Sequence, residues 1–166
     1  MFRSNTQRLV RLAFFIALEV ILTRFCSINT DFIRIGFGFL PVAMVGIMFG
    51  PLWAGAAYAI GDVLGMLIFP SGQFFPGFTV SAFLVGIIFG LFLHKKQPSY
   101  KNIIIPVLIV CMGVNLFLDT FWLSILYGQA YLVLFPLRII KCAVMIPIQL
   151  VLIKLIWQKF ILKLPQ

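Results

Sequence analysis

Apolar residues run through this chain in long stretches, and the few polar or helix-breaking positions fall between them at regular intervals. The first stretch predicts a helix over about Gln7–Phe25, entered through basic residues and followed by a more polar loop, Cys26 to Arg34. A second helix is expected from about Ile35 to Phe49, with Pro41 kinking it or marking its first turn. Gly50 and Pro51 stop that helix and start a third, about Leu52–Phe69, so the two form a tight hairpin. The loop Pro70 to Gly77, rigid at its prolines and aromatic at its centre, leads to a fourth helix, about Phe78–Leu93. That helix ends in His94, Lys95 and Lys96; a lone histidine among lysines at a membrane edge is expected to be simply solvated. A fifth helix follows over about Asn102–Leu126, with Pro106 near its start. After a short turn, Tyr127 to Tyr131, a sixth spans about Leu134–Phe160, with Pro136 near its first turn. Small residues recur four apart at Gly46 and Gly50, Gly61 and Gly65, and Gly86 and Gly90. That spacing puts each pair on one helix face and lets backbones approach closely.

Composition turns this pattern into a membrane protein. Of 166 residues, 63% are hydrophobic and 10% charged, and the mean hydropathy is +1.14, far outside the range of soluble domains. At about 20 apolar residues per span, the length allows roughly six helices and no extramembrane domain of any size. Residues 1–166 therefore read as one all-α transmembrane domain, a six-helix bundle. The formal net charge of +9 could suggest nucleic acid in a soluble protein, but here the basic residues cluster at the ends of apolar runs. Arg3, Arg8, Arg11, Lys95, Lys96, Lys101, Lys159 and Lys163 fall on one side of a six-span arrangement, which places both termini in the cytoplasm. The basic N-terminus superficially resembles a signal peptide, yet no small-residue cleavage site follows it and more spans do, so a retained first helix is expected. Cys26, Cys111 and Cys142 form no CxxC pair and support neither a disulfide framework nor a zinc site; they read as small apolar fillers.

Candidate chemistry lies in the charges that interrupt the apolar runs. Asp62 stands beside Gly61 in mid-span, and Glu19 points away from the smooth strip that Ala13 and Ala17 make on helix one. Asn115, Asp119 and Trp122 fall at i, i+4 and i+7, a polar stripe on one face of a greasy helix. Arg138 and Lys141, three apart, sit on neighbouring positions of one face of helix six. Arg24 either snorkels to the interface or turns over a cavity mouth. At about 3 kcal/mol for each unpaired charge, these residues must pair with one another or serve a ligand. One reading is three internal ion pairs that lock the bundle. The other is an outward-opening pocket for a planar, amphipathic, anionic molecule. Its walls would be aromatic, with Phe74 and Phe75 above; carboxylate and amide would face donor edges, and arginine and lysine the acids. Motifs for catalysis are missing: there is no HExxH, GxSxG or GxxxxGK[ST], so neither an enzyme nor a bound cofactor or metal is expected. Without a nucleotide-binding segment, uphill movement of a solute needs a partner, for which Ala13 and Ala17 supply a docking face, or an ion gradient. A self-sufficient ion-coupled transporter, using an acid such as Glu19, is the alternative from another class.

The run from Gly38 to Lys96, together with FPLRIIK at Phe135 to Lys141, resembles the substrate-binding S components of energy-coupling factor (ECF) transporters, specifically the folate-specific (FolT-type) branch. The most specific parts are the pair Gly61 and Asp62, the segment FPxGxFFPGFTxSAF from Phe69 to Phe83, which contains Thr79, and the RxxK pair Arg138 and Lys141. The AxxxA strip at Ala13 and Ala17 resembles the helix-one motif by which S components contact the transmembrane coupling subunit. The resemblance implies a six-helix S-component fold in the bacterial cell membrane that captures folate from outside. It also implies assembly with an EcfT-type coupling subunit and two cytoplasmic EcfA-type ATPases, and delivery by toppling in the bilayer. A pterin ring edge would meet Asp62 or Asp119, with Arg138, Lys141 and the aromatic loop around the rest, and with Thr79, Asn115, Trp122 and Arg24 as further contacts. A sister reading keeps the fold and exchanges folate for thiamine, riboflavin, pantothenate or biotin.

Overall fold

The computed structural model describes residues 5–29, 34–70, 73–96, 99–128 and 131–161. Arg3, Lys163 and the loop residues Ser71 and Gly72 lie outside them. Among the described residues six helices are formed: α1 (Asn5–Arg24), α2 (Phe39–Phe49), α3 (Pro51–Ile68), α4 (Pro76–Leu93), α5 (Tyr100–Tyr127) and α6 (Tyr131–Ile161). Helices α3, α4 and α5, and α6 over Arg138–Lys159, are each long and apolar enough to cross a membrane. The 20 residues of α1 would reach about 30 Å at 1.5 Å per residue, but the 11 of α2 cover only about 17 Å.

The shortness of α2 has a local cause. Ahead of it, where a helix start at Ile35 was expected, two-residue strands pair antiparallel: β1 (Ile28–Asn29) with β2 (Arg34–Ile35), in the register Ile28 to Ile35 and Asn29 to Arg34. Residues 36–38 then lead into the helix, and Pro41 falls in its first turn, where the missing N–H costs nothing. At the other end Gly50, with φ 92°, closes α2 while Pro51 opens α3. A residue with a side chain would be strained there.

Close backbone contact holds α2, α3 and α4 together. A Cβ on Gly46 would come within 3.1 Å of the Gly90 backbone, one on Gly90 would fall on Pro51, and one on Gly86 would meet the Ala54 carbonyl. Around this contact Phe39, Val42, Val85, Phe89 and Leu93 continue a buried core to Val107, Val110 and Trp157 of the last two helices. A second cluster seats Leu12 and Phe15 of α1 on Val45, Met48, Ala54 and Ala57.

His94 is not merely solvated as its lysine neighbours suggested. Its Nδ1 lies 3.1 Å from the Ile47 carbonyl and its ring rests against Gly50, so it ties the end of α4 to the end of α2. The cysteines divide: Cys26 is exposed, whereas Cys111 and Cys142 are buried, with the Cys142 thiol donating to the Cys111 carbonyl at 3.1 Å. Helix α5 also departs from plain α geometry. From Ile109 to Leu118 it winds as a π-helix, so each turn there holds more residues than 3.6. Pro147, in addition to Pro136, falls inside α6 and leaves the Ala143 carbonyl without its usual intrahelical donor.

Candidate functional site

A cavity of about 380 Å³ lies between the helices, in the half of the bundle away from His94 and its lysines. The volume is within the usual range for small-molecule sites. Among the described residues, five acidic or basic side chains line it: Glu19 of α1, Asp62 of α3, Asp119 of α5, and Arg138 and Lys141 of α6. Charges in such surroundings are functional candidates by default.

Each wall follows from the local fold. On α6, Arg138, Lys141, Met145 and Gln149 lie along one face at helical spacing. Arg138 is anchored by donating from Nη1 to the Asn115 carbonyl at 2.8 Å, and the same nitrogen lies 3.7 Å from Asp119 Oδ2. Their side chains are 6% and 14% exposed. The Asn115 carbonyl belongs to the π-helical stretch, where the wider turn alters the ordinary bonding pattern. On α3, Tyr58, Asp62 and Met66 form a stripe at i, i+4 and i+8. Asp62 Oδ2 accepts a hydrogen bond at 2.8 Å from Thr79 Oγ1 of α4. Phe74 and Phe75, from the segment ahead of α4, line the cavity together with Gln73 and Phe78. Phe75 is held in turn by Trp122, whose ring centroid is 5.6 Å away.

The expected residues thus fall into two groups. Asp62, Phe74, Phe75, Asn115, Asp119, Arg138 and Lys141 line the cavity together. Thr79, Trp122 and Arg24 stand behind that lining. Thr79 braces Asp62, Trp122 packs between Phe75 and Gly77, and the Arg24 guanidinium lies against Gly65 of α3. Trp122 leaves the stripe of Asn115 and Asp119 because 3.6-residue arithmetic does not hold across the π-helical turns that precede it. The cavity also takes in Glu19, Tyr58, Ser81 and Gln149, which the expected site left out. Glu19 carried the same signal as Asp62, an acid inside an apolar span. Gln149 could have been reached by extending the spacing of Arg138 and Lys141 two turns further.

The arrangement can hold a flat molecule between aromatic rings while pairing its polar ends with fixed charges. Over residues 7–157 the chain matches the family model described as ECF transporter, substrate-specific component. The chain belongs to this family of S components. A relative S component from Clostridium novyi, a folate transporter FolT, is 51% identical over 150 residues, covering 90% of this chain and 87% of the relative. A FolT from Leuconostoc mesenteroides is 33% identical over 154 residues, covering 89% of this chain and 82% of the relative. The fold agrees with a crystal structure of FolT bound with folic acid, at a TM-score of 0.89 and 37% identity over 93% of this S component and 95% of that one.

Proposed function

We propose that this S component is the folate-binding subunit of an ECF importer, a multi-pass protein of the bacterial cytoplasmic membrane. The observation that carries the reading is the convergence of its two distinctive segments on one cavity. Phe74 and Phe75 come from one, Arg138 and Lys141 from the other, and all four line the same space. Folate suits that space chemically. Its pterin presents N–H donors for carboxylates, its rings match the phenylalanines, and its glutamate acids match arginine and lysine. Similarity to proteins named folate transporters over nine-tenths of the chain supports the same ligand.

In this reading the whole chain is one binding domain with no catalytic step of its own. Arg8, Arg11, Lys95, Lys96, Lys101 and Lys159 gather at the end of the bundle opposite the cavity, which supports a cytoplasmic placement for that end and for both termini. The cavity then faces outward for capture. Exposed Ala13 and Ala17 on α1 provide the smooth strip on which the coupling subunit docks, and two ATPases beneath it drive delivery as the subunit topples.

Calorimetric titration of the purified chain tests the ligand. Binding of one folate at nanomolar concentration, about −12 kcal/mol, is expected, with no competition from thiamine, riboflavin, biotin or pantothenate. Absence of binding at micromolar folate would reject the assignment, and displacement by another vitamin would replace it.

A further inference from the structure

The π-helical winding of α5 changes which donors its carbonyls meet. In a regular α-helix the Asp119 N–H would bond to the carbonyl of Asn115, four residues back. Here it bonds to the carbonyl of Val114, five back. A donor from another helix reaches the Asn115 carbonyl: Arg138 Nη1 of α6, at 2.8 Å. The pattern repeats four residues earlier, where the Cys142 thiol of α6 donates to the Cys111 carbonyl at 3.1 Å. Arg138 and Cys142 are four apart on α6, and Asn115 and Cys111 are four apart in the π-helical stretch, running the opposite way. The two bonds are therefore in register, and α6 is clipped to carbonyls of the π-helical stretch at both. A thiol is a weak donor, so the guanidinium carries most of the hold. Lys141, next to Cys142, lines the cavity with Arg138.

One side chain of α5 itself works on the same winding. Thr120, fully buried, donates from Oγ1 to the Leu116 carbonyl, which is buried with it. In an α-helix that carbonyl is the acceptor of the Thr120 N–H. A hydroxyl placed on it competes with the regular ladder and favours a departure from α geometry. Thr120 stands directly after Asp119, whose N–H has already moved to Val114.

We propose that the π-helical winding of α5 is what positions the basic wall of the cavity, and that Thr120 is the positioning residue that maintains it, acting on Arg138 through the Asn115 carbonyl. The inference deepens the folate reading above and rests on it for the ligand. With the Thr120 hydroxyl removed, the α pattern is no longer opposed at the end of the stretch. The Asp119 N–H returns to Asn115, and Arg138 loses its hold on that carbonyl.

A double-mutant cycle on the full chain tests this. Wild type, Thr120→Val, Arg138→Met and the double variant are titrated with folate by calorimetry, and their unfolding in denaturant is followed in micelles. Valine keeps the shape of threonine without the hydroxyl, and Thr120→Val is expected to weaken folate binding about tenfold, the worth of a hydrogen bond from a charged group. Thr120→Ser, which keeps the hydroxyl, should bind as wild type does. In the Arg138→Met background Thr120→Val should cost little further affinity, because the group it positions is gone. A purely structural Thr120 would give losses that add, and that result overturns the proposal. So does wild-type affinity in Thr120→Val, or a loss in Thr120→Ser as large as in Thr120→Val. Should Arg138→Met bind too weakly to titrate, the same cycle is read from the unfolding midpoints, where additive losses refute the role equally. Should Thr120→Val not fold, Thr120→Ala takes its place with the same expectations. A wild type that binds no folate refutes the folate reading instead, while the unfolding cycle still decides the role of Thr120.

Discussion

Replacing Arg138 with methionine measures how far the cavity's charges hold the bundle together. The substitution keeps length and apolar bulk but removes the 2.8 Å bond to the Asn115 carbonyl and the cation 3.7 Å from Asp119. A hydrogen bond from a charged donor contributes about 1.5–3 kcal/mol. Breaking a buried ion pair by deleting one partner costs about 3–5 kcal/mol, because it strands the other charge. The 3.7 Å separation is longer than the roughly 2.8 Å of a tight charge-assisted bond, so both losses should sit at their low ends, about 4.5 kcal/mol in total. Neutralising both partners in Arg138→Met/Asp119→Asn removes the stranded charge and should restore about 1–2 kcal/mol of that loss. Denaturant unfolding in detergent micelles of wild type, both single variants and the double variant gives the coupling directly. If the two single losses simply add to that of the double variant, the pair is energetically independent and the reasoning is wrong.

Gly90→Val should destabilise the hairpin of α3 and α4 by about 1–3 kcal/mol, since its Cβ would fall on Pro51, whereas Gly113→Ala, with nothing within 4 Å, should change unfolding little. Thr79→Val removes the donor to Asp62 and is expected to weaken folate binding about tenfold, the worth of a hydrogen bond to a charged group, while Thr79→Ser retains it in calorimetry. Ala13→Phe combined with Ala17→Phe places bulk on an exposed strip. It should abolish co-purification with the coupling subunit and leave folate affinity unchanged.

The helices were legible because their boundaries are written in strong local signals. Gly50 and Pro51, the prolines of the loop before α4, and the lysines after Leu93 each act within a few residues. Membrane spans also bury their backbone groups internally, so long apolar runs leave little choice but helix. The late start of α2 was not visible, because it depends on strand pairing between Ile28–Asn29 and Arg34–Ile35. The π-helical stretch of α5 was hidden as well, and with it the displacement of Trp122 from the face shared by Asn115 and Asp119. Among the site residues, Asp62, Arg138 and Lys141 announced themselves by charge inside apolar runs. Glu19 did so too, but its entry into the cavity depends on Gly38 and Gly61, which are distant in sequence and meet it only in the fold. His94 shows the same limit: its partner, the Ile47 carbonyl, belongs to another helix.

The central claim is that folate occupies this cavity and no other part of the chain. Ala82 lines the cavity and is 9% exposed, so Ala82→Trp fills the space without adding a charge or touching the ionisable side chains' own chemistry. Calorimetric titration of that variant, after its thermal unfolding has shown it folded, should register no folate binding where the wild type binds one molecule per chain. Folate bound by the filled variant with wild-type affinity and stoichiometry would contradict the account.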